Sequence, residues 1–237
     1  MWLIGCEGQP SELFFAWLPM LLVFAVGAYL IGSINFSIIL SKLISGKDIR
    51  ESGSGNAGAT NMLRTYGKKM GVITLILDVL KGVVCIAIAN IYTNHVLADS
   101  IDSYSAVFQN IYLSYIVGLC VVLGHNFPLY FKFKGGKGVA TSLGVVLMLD
   151  WRIGLLIGIC AIAVMAITRY VSFGSILGGI AFVVGELVKM AVAGEWNVIK
   201  LMCVVLIGGM LVARHHANIT RLLNGTENKL GAKKKEN

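Results

Sequence analysis

Three polar segments carry most of the residues in this chain that could do chemistry. The first runs Asp48-Ile-Arg50-Glu-Ser-Gly53-Ser54-Gly55-Asn56-Ala-Gly58-Ala-Thr60-Asn61 and on to Arg64. Glycines let a backbone approach a ligand and turn successive N–H groups into one concavity. Ser54, Asn56, Thr60 and Asn61 add side-chain donors, while Arg50 and Arg64 offer planar forks that match phosphate. The second segment is Gly124-His125-Asn126-Phe-Pro128, followed by Phe131-Lys-Phe-Lys134-Gly135-Gly136-Lys137-Gly138-Val-Ala-Thr141-Ser142. A glycine turn with a lysine, leading into a helix start and hydroxyls, resembles a phosphate loop, although it is not the G-x-x-x-x-G-K-[ST] pattern. A helix beginning at Val139 would present free N–H groups and a positive dipole end to an anion. The third segment is Arg214-His215-His216-Ala-Asn218-Ile-Thr-Arg221, with Gly225 and Glu227 following. At helical spacing Arg214, Asn218 and Arg221 share a face, as do His215 and Asn218.

The elements that position these segments are apolar. Seven apolar stretches are expected: Pro19 to Leu40, Gly71 to Ile91, Ile111 to Phe131, Val139 to Leu149, Ile153 to Ile167, Gly174 to Ala193 and Val198 to Ala213. A span needs about 20 apolar residues. Val139 to Leu149 is short, and five stretches would cross if the two short middle ones form a hairpin. Within the stretches, Ser33 and Asn35 lie near the end of the first. Asp78 and Lys81 stand at i, i+3 on the second, an ionisable pair of a kind that is functional by default inside a membrane. Arg169 and Ser172 mark a further turn.

Composition agrees. Of 237 residues, 57% are hydrophobic and 14% charged, against about 25% charged in a soluble domain, and mean hydropathy is +0.79. An ordinary soluble enzyme, a disordered chain and a disulfide scaffold are excluded. The net charge of +8 is not spread as in a nucleic-acid binder. It sits in the 42–69 loop (Lys42, Lys47, Arg50, Arg64, Lys68, Lys69), the 132–137 loop (Lys132, Lys134, Lys137) and a C-terminal tail (Arg214, Arg221, Lys229, Lys233 to Lys235). The 92–110 loop carries no Lys or Arg, and holds Asp99 and Asp102. Lys and Arg collect on the cytoplasmic side. The expectation is an all-α membrane bundle of about seven spans, N-terminus outside and C-terminus cytoplasmic. It forms one domain over 1–237, with 214–237 a basic cytoplasmic tail meeting anionic lipid. The N-terminus lacks the basic region of a cleaved signal peptide. Cys6, Cys85, Cys120, Cys160 and Cys203 form no C-x-x-C pair and read as packing residues.

The GSGNAGATN, LGHNFP…FKFKGGKGVATS and RHHANITRL segments, in that order among apolar spans, resemble the bacterial membrane glycerol-3-phosphate acyltransferases that use acyl phosphate as donor. The resemblance covers Gly32 to Glu227. It implies an all-helical membrane bundle with a cytoplasm-facing site in a bacterial inner membrane. The implied reaction acylates the sn-1 hydroxyl of glycerol 3-phosphate, giving lysophosphatidic acid and phosphate as the first step of phospholipid synthesis. No metal, cofactor or CoA is implied, and the soluble enzyme that makes acyl phosphate is an implied candidate partner. Ser33 and Arg50 sit where the family has its first-motif Ser and Arg, Gly135, Gly136, Lys137 and Gly138 where it has its phosphate loop, and His215, Asn218, Arg221 and Glu227 in its third motif. Expected to act in catalysis are His215, Lys137 and Arg50. Expected to bind substrate are Ser33, Ser54, Asn56, Thr60, Asn61, His125, Gly135, Gly136, Gly138, Thr141, Ser172, Asn218, Arg221 and Glu227. Either His125, His215 or a substrate phosphate could take the acceptor's proton.

Rival classes leave different marks. The His-x4-Asp signature of soluble-type glycerolipid acyltransferases is absent: five residues beyond His95, His125, His215 and His216 stand Ser100, Tyr130, Thr220 and Arg221. A transporter of an organic anion or phosphate ester would also want glycine breaks and cavity-facing Lys or Arg, but commonly shows repeated halves, which this chain lacks. Orientation is directly testable. In a variant without native cysteines, a cysteine placed in the 50–64 or 132–137 loop should be shielded from an impermeant thiol reagent in intact cells. One placed at 99–103 should react. Labelling of the two motif loops from outside would reverse the orientation.

Overall fold

The computed structural model describes residues 10–94 and 103–231, with side chains from 18–94 and 112–231. Cys6, His95, Asp99, Ser100, Asp102 and Lys233 to Lys235 lie outside the described residues. The described residues form an all-helical bundle: α1 Pro10–Gly32, α2 Phe36–Ser45, α3 Ala59–Tyr92, α4 Ser103–Asn126, α5 Val139–Leu149, α6 Trp151–Thr168, α7 Val171–Ala193, α8 Val198–Ala213 and α9 His216–Leu223. Short 3₁₀ turns at Ile49–Glu51 and Leu129–Phe131 lie in the two polar loops.

The expected first stretch, Pro19 to Leu40, breaks. Helix α1 stops at Gly32, and α2 restarts with Asn35 as N-cap, its side chain accepting from the Ile38 N–H at 3.2 Å. Hydropathy runs through this break unchanged, so only the Ser33–Asn35 polar pair hinted at it. A second deviation lies inside α3, where Gly67 takes φ 85° and kinks the helix. Among the described residues, five stretches are long and apolar enough to cross a membrane: Leu18–Ser45, Ala59–Tyr92, Tyr112–Phe131, Trp151–Thr168 and Val171–Ala193. Helices α8 and α9 count as a sixth only if taken as one bent pair, turned by 52°. That bend corrects the expectation of one helical face through Arg214, Asn218 and Arg221. The C-terminal stretch expected as a tail is folded as far as Gly231: the Leu230 N–H donates to Arg169 O at 2.7 Å, and the Arg169 guanidinium returns to Leu230 O.

Close approach is set by glycines, as helix packing in lipid favours. On the α1–α4 crossing, a Cβ at Gly32 would stand 2.3 Å from Val121 O, and one at Gly124 would stand 2.2 Å from Tyr29 O. On the α3–α5 crossing, a Cβ at Gly82 would meet Thr141 O at 2.6 Å, and one at Gly144 would meet Val79 O at 2.2 Å. The core between them is Ile86, Val117, Val121, Val122 and Val145, with Val204 and Ile207 from α8. Outward faces are apolar and exposed at Ile88, Leu156, Ile162, Val184 and Val205, as a lipid-facing surface requires.

The crossings explain why α5 can be short. Its 11 residues rise about 16 Å, half of the roughly 30 Å hydrocarbon layer. Its first turn lies against Gly82, deep along α3, so it begins inside the bundle. Its C-cap Asp150 pairs with Lys189, near the far end of α7. Gly144→Ala should therefore drive α3 and α5 apart and cost about 1–3 kcal/mol of stability. Gly27→Ala, with nothing within 4 Å of the new methyl, should cost nothing. Thermal unfolding in detergent measures both.

Candidate active site

The two polar loops and the α8–α9 junction meet at one end of the bundle. The 134–138 loop is held on every side. Gly135 N donates to Asn126 O and Gly136 N to His125 O, both at 3.2 Å. The Arg214 guanidinium caps the carbonyls of Gly135 and Gly136 at 3.0–3.3 Å and lies over the Phe127 ring. Neither glycine admits a side chain: a Cβ at Gly135 would be 2.0 Å from His125 O, and one at Gly136 would be 2.2 Å from His125 Nε2 and 2.4 Å from Ala57 O. Gly138 adopts φ 77° and starts α5 with no side-chain cap. The first turn of that helix therefore keeps its N–H groups for another partner. Around it the buried Thr141 Oγ1, Ser142 Oγ and Asn126 Oδ1 have no hydrogen-bond partner among the described residues. A buried, uncapped helix N-terminus with orphaned polar groups and a lysine beside it has the chemistry to accept an anion.

Lys137 links this loop to the third segment. Its ammonium bonds Asn218 Oδ1. Asn218 Nδ2 donates to Glu227 Oε1 at 2.8 Å, Ser172 Oγ donates to the same oxygen at 3.0 Å, and Arg221 Nε donates to Glu227 Oε2 at 2.7 Å. Lys137, Asn218, Ser172, Arg221 and Glu227 thus form one connected network. Burial pushes the Lys137 ammonium down to about 8, with Glu227 opposing and Arg221, Arg64 and Arg214 reinforcing the shift. Glu227 is held below the usual carboxylate range: burial raises it, but the hydrogen bonds from Asn218, Arg221 and Ser172 win.

His215 lies at the start of α9, buried, with Nδ1 2.7 Å from Leu211 O. A carbonyl only accepts, so Nδ1 carries the hydrogen and Nε2 keeps its lone pair. Burial first, then the Lys137 charge, lowers its pKa to about 4. The ring is therefore neutral near pH 7.

Other expected site residues hold the scaffold. Arg50 turns its fork onto Asp48, with Nε to Oδ1 at 3.0 Å and Nη2 to Oδ2 at 2.7 Å. Its Nη1 donates to Phe131 O and Lys134 O at 3.1 and 2.8 Å. It fastens the first loop to the second, and direct phosphate contact would require it to exchange partners. Asn61 spends its amide on Ile49 O, Ser52 O and Asn56 O, and accepts from the Ser54 N–H, so it staples the glycine loop shut. Ser33 Oγ donates to Tyr29 O and accepts from the Leu129 N–H at 3.2 Å. Ser54 is exposed, and Asn56 and Thr60 are half-buried on the mouth of that loop. His125 is buried beneath Gly136 beside Lys81. The sequence puts Arg214 at the opening of the third segment, on a face with Asn218 and Arg221 and among the tail's basic residues, with no sign of the loop carbonyls. Its role on the loop carbonyls lies 78 residues away along the chain, beyond any local pattern.

The chain matches the family model described as glycerol-3-phosphate acyltransferase over residues 22–225. A glycerol-3-phosphate acyltransferase of Clostridioides difficile is 43% identical over 214 residues, covering 90% of this chain and 97% of the relative. That of Bartonella henselae is 40% identical, covering 95% and 96%. Among solved structures, PlsY (YgiH), an integral membrane glycerol 3-phosphate acyltransferase in its glycerol 3-phosphate form, superposes with TM-score 0.74 at 38% identity, covering 90% of this chain and 96% of that one. The lysophosphatidic acid form of the same protein gives 0.70.

Lys137 supplies a pH signature. If its cation holds an anion, kcat/KM should fall as pH rises through about 8, because deprotonation removes the charge. In Lys137→Arg the falling limb should move up by about two pH units or more, since a guanidinium does not deprotonate in this range. A limb that stays in place assigns it to another group.

Proposed function

The chain belongs to the glycerol-3-phosphate acyltransferase family, a multi-pass membrane enzyme that acylates glycerol 3-phosphate, and on that premise we propose that its donor is an acyl phosphate and its product lysophosphatidic acid. The observation that carries this reading is the Gly135–Gly138 loop at the uncapped start of α5, with Lys137 beside it and three buried polar groups unpartnered. Such a site suits the phosphate of an activated donor. The network of Asn218, Arg221, Ser172 and Glu227, tied to it through Lys137, suits the phosphate of the acceptor.

The sn-1 oxygen attacks the acyl carbonyl carbon, and the bond from that carbon to the phosphate oxygen breaks. Inorganic phosphate leaves with the bonding pair. No protein nucleophile is needed, because the donor is already activated. Catalysis comes from holding two substrates in line, which contributes about 7–11 kcal/mol in well-oriented cases, and from stabilising charge on the departing phosphate. The acceptor's proton passes to His215 Nε2, whose weak basicity rises when a dianionic phosphate binds nearby, and then to the departing phosphate. Ser33 and Arg50 maintain the shape of the mouth. The loops rich in Lys and Arg support a site on the cytoplasmic face of a bacterial inner membrane, within reach of a soluble enzyme that makes acyl phosphate. The transporter alternative has no support in the relatives, which are enzymes by name.

Purified protein in detergent, given acyl phosphate and glycerol 3-phosphate, should release lysophosphatidic acid and phosphate in equal amounts, and Lys137→Ala should lose most of this activity. Acyl-CoA should not replace the donor. Product from acyl-CoA alone would overturn the donor assignment while leaving the family in place.

A further inference from the structure

Beneath the phosphate loop lies a buried ionic cluster that the reaction above does not use. Lys81, on α3, is almost inaccessible. Its Nζ stands 3.1 Å from Gly32 O, 3.0 Å from Ile34 O and 2.8 Å from His125 Nδ1, with Asp78 Oδ1 at 3.1 Å. The Asp78 carboxylate keeps the amine an ammonium by its charge, and the three hydrogens of that group, which has no acceptor, match Gly32 O, Ile34 O and His125 Nδ1. His125 Nδ1 must therefore accept from it. Asp78 Oδ1 is 3.6 Å from that ring nitrogen, too far to draw a proton onto it. A neutral imidazole has a single N–H, so with Nδ1 accepting, the hydrogen resides on Nε2. That atom faces the loop, as the 2.2 Å approach to a methyl built on Gly136 shows. Its hydrogen has no acceptor among the described residues.

We propose that Asp78 and Lys81 are positioning residues that fix His125 in its Nε2–H tautomer, so that the ring donates a hydrogen bond to the phosphate held by the Gly135–Gly138 loop. The inference rests on reading that loop as the donor's phosphate site, and it adds a neutral, directional donor under the phosphate. Charge gathers on the departing phosphate as the acyl bond breaks, and a donor already aimed there strengthens through the reaction without reorganising. The same tautomer removes His125 as the base: one nitrogen already accepts from Lys81 and the other holds its hydrogen.

The tautomer can be read in the protein itself. With ¹⁵N-labelled histidine in detergent, the His125 signal, assigned by its loss in His125→Gln, should show a protonated Nε2 and an unprotonated Nδ1. Inorganic phosphate should shift the Nε2 resonance. Lys81→Met should convert the ring to the other tautomer or a mixture, and lower kcat/KM even where the protein folds. Glutamine can place an N–H near the Nε2 position and asparagine cannot. His125→Gln should therefore retain more activity than His125→Asn, the two differing by about 10- to 100-fold in kcat/KM for the donor, the effect of one hydrogen bond to a charged acceptor. A parent signal protonated at Nδ1, or equal losses in the two variants, overturns the proposal. If phosphate shifts His215 but leaves His125 Nε2 unmoved, the loop reading survives and the His125 donor falls. If phosphate shifts neither histidine, both fall.

Discussion

A backbone that stops inside hydrocarbon has no water to complete its hydrogen bonds, so each break must be met by the protein itself. This constraint organises the site end of the bundle. Where α1 gives way to α2, the freed Gly32 and Ile34 carbonyls are taken by Lys81. An ammonium that deep must be balanced, and Asp78 lies one turn earlier on the same helix. The remaining approach to the ammonium is filled by His125, which lies under the glycine loop. Backbone satisfaction, charge balance and the floor of the site are thus one arrangement. Breaking any part leaves a buried group unpaired, which costs more than the contact contributed.

The loops above that floor are held by guanidinium groups that bind carbonyls rather than anions. Arg50 clasps Phe131 and Lys134, and Arg214 clasps Gly135 and Gly136. Both are cations beside the site, so they add positive potential while their donors stay on the backbone. Glu227 works in the opposite sense. Its carboxylate accepts from Asn218, Ser172 and Arg221, and its negative charge offsets the repulsion among the neighbouring cations.

Much of the site was legible because it is local. Gly135 to Gly138 and the start of α5 follow one another in the chain, and a glycine turn entering an apolar helix marks a candidate anion site without knowledge of the fold. The all-helical membrane class followed from hydropathy, and the Asp78–Lys81 pair from its i, i+3 spacing. What was hidden depends on long-range contacts. His125 meets Lys81 across 44 residues, and nothing near either residue indicates the other. The α1 break sits in unbroken hydropathy, and the 52° turn at Arg214 and His215 sits in a sequence that fits a straight helix equally well. Arg50 illustrates the same limit. Its residue type suits phosphate, but its fork is committed to Asp48, two residues away, and to carbonyls more than 80 residues away.

The recessed start of α5 has a consequence for the lipid. An acyl chain prefers hydrocarbon to water by about 0.8 kcal/mol for each methylene. A catalytic loop at the level of the aqueous surface would have to draw the first several methylenes out of the bilayer at every turnover, a cost of about 3 kcal/mol for four of them. With the donor's phosphate at the proposed loop, the start of α5 beside Gly82, far along α3, would bring the polar partner down instead. The lipid tail would then keep its solvation, and the partition energy that anchors the product would stay out of the barrier.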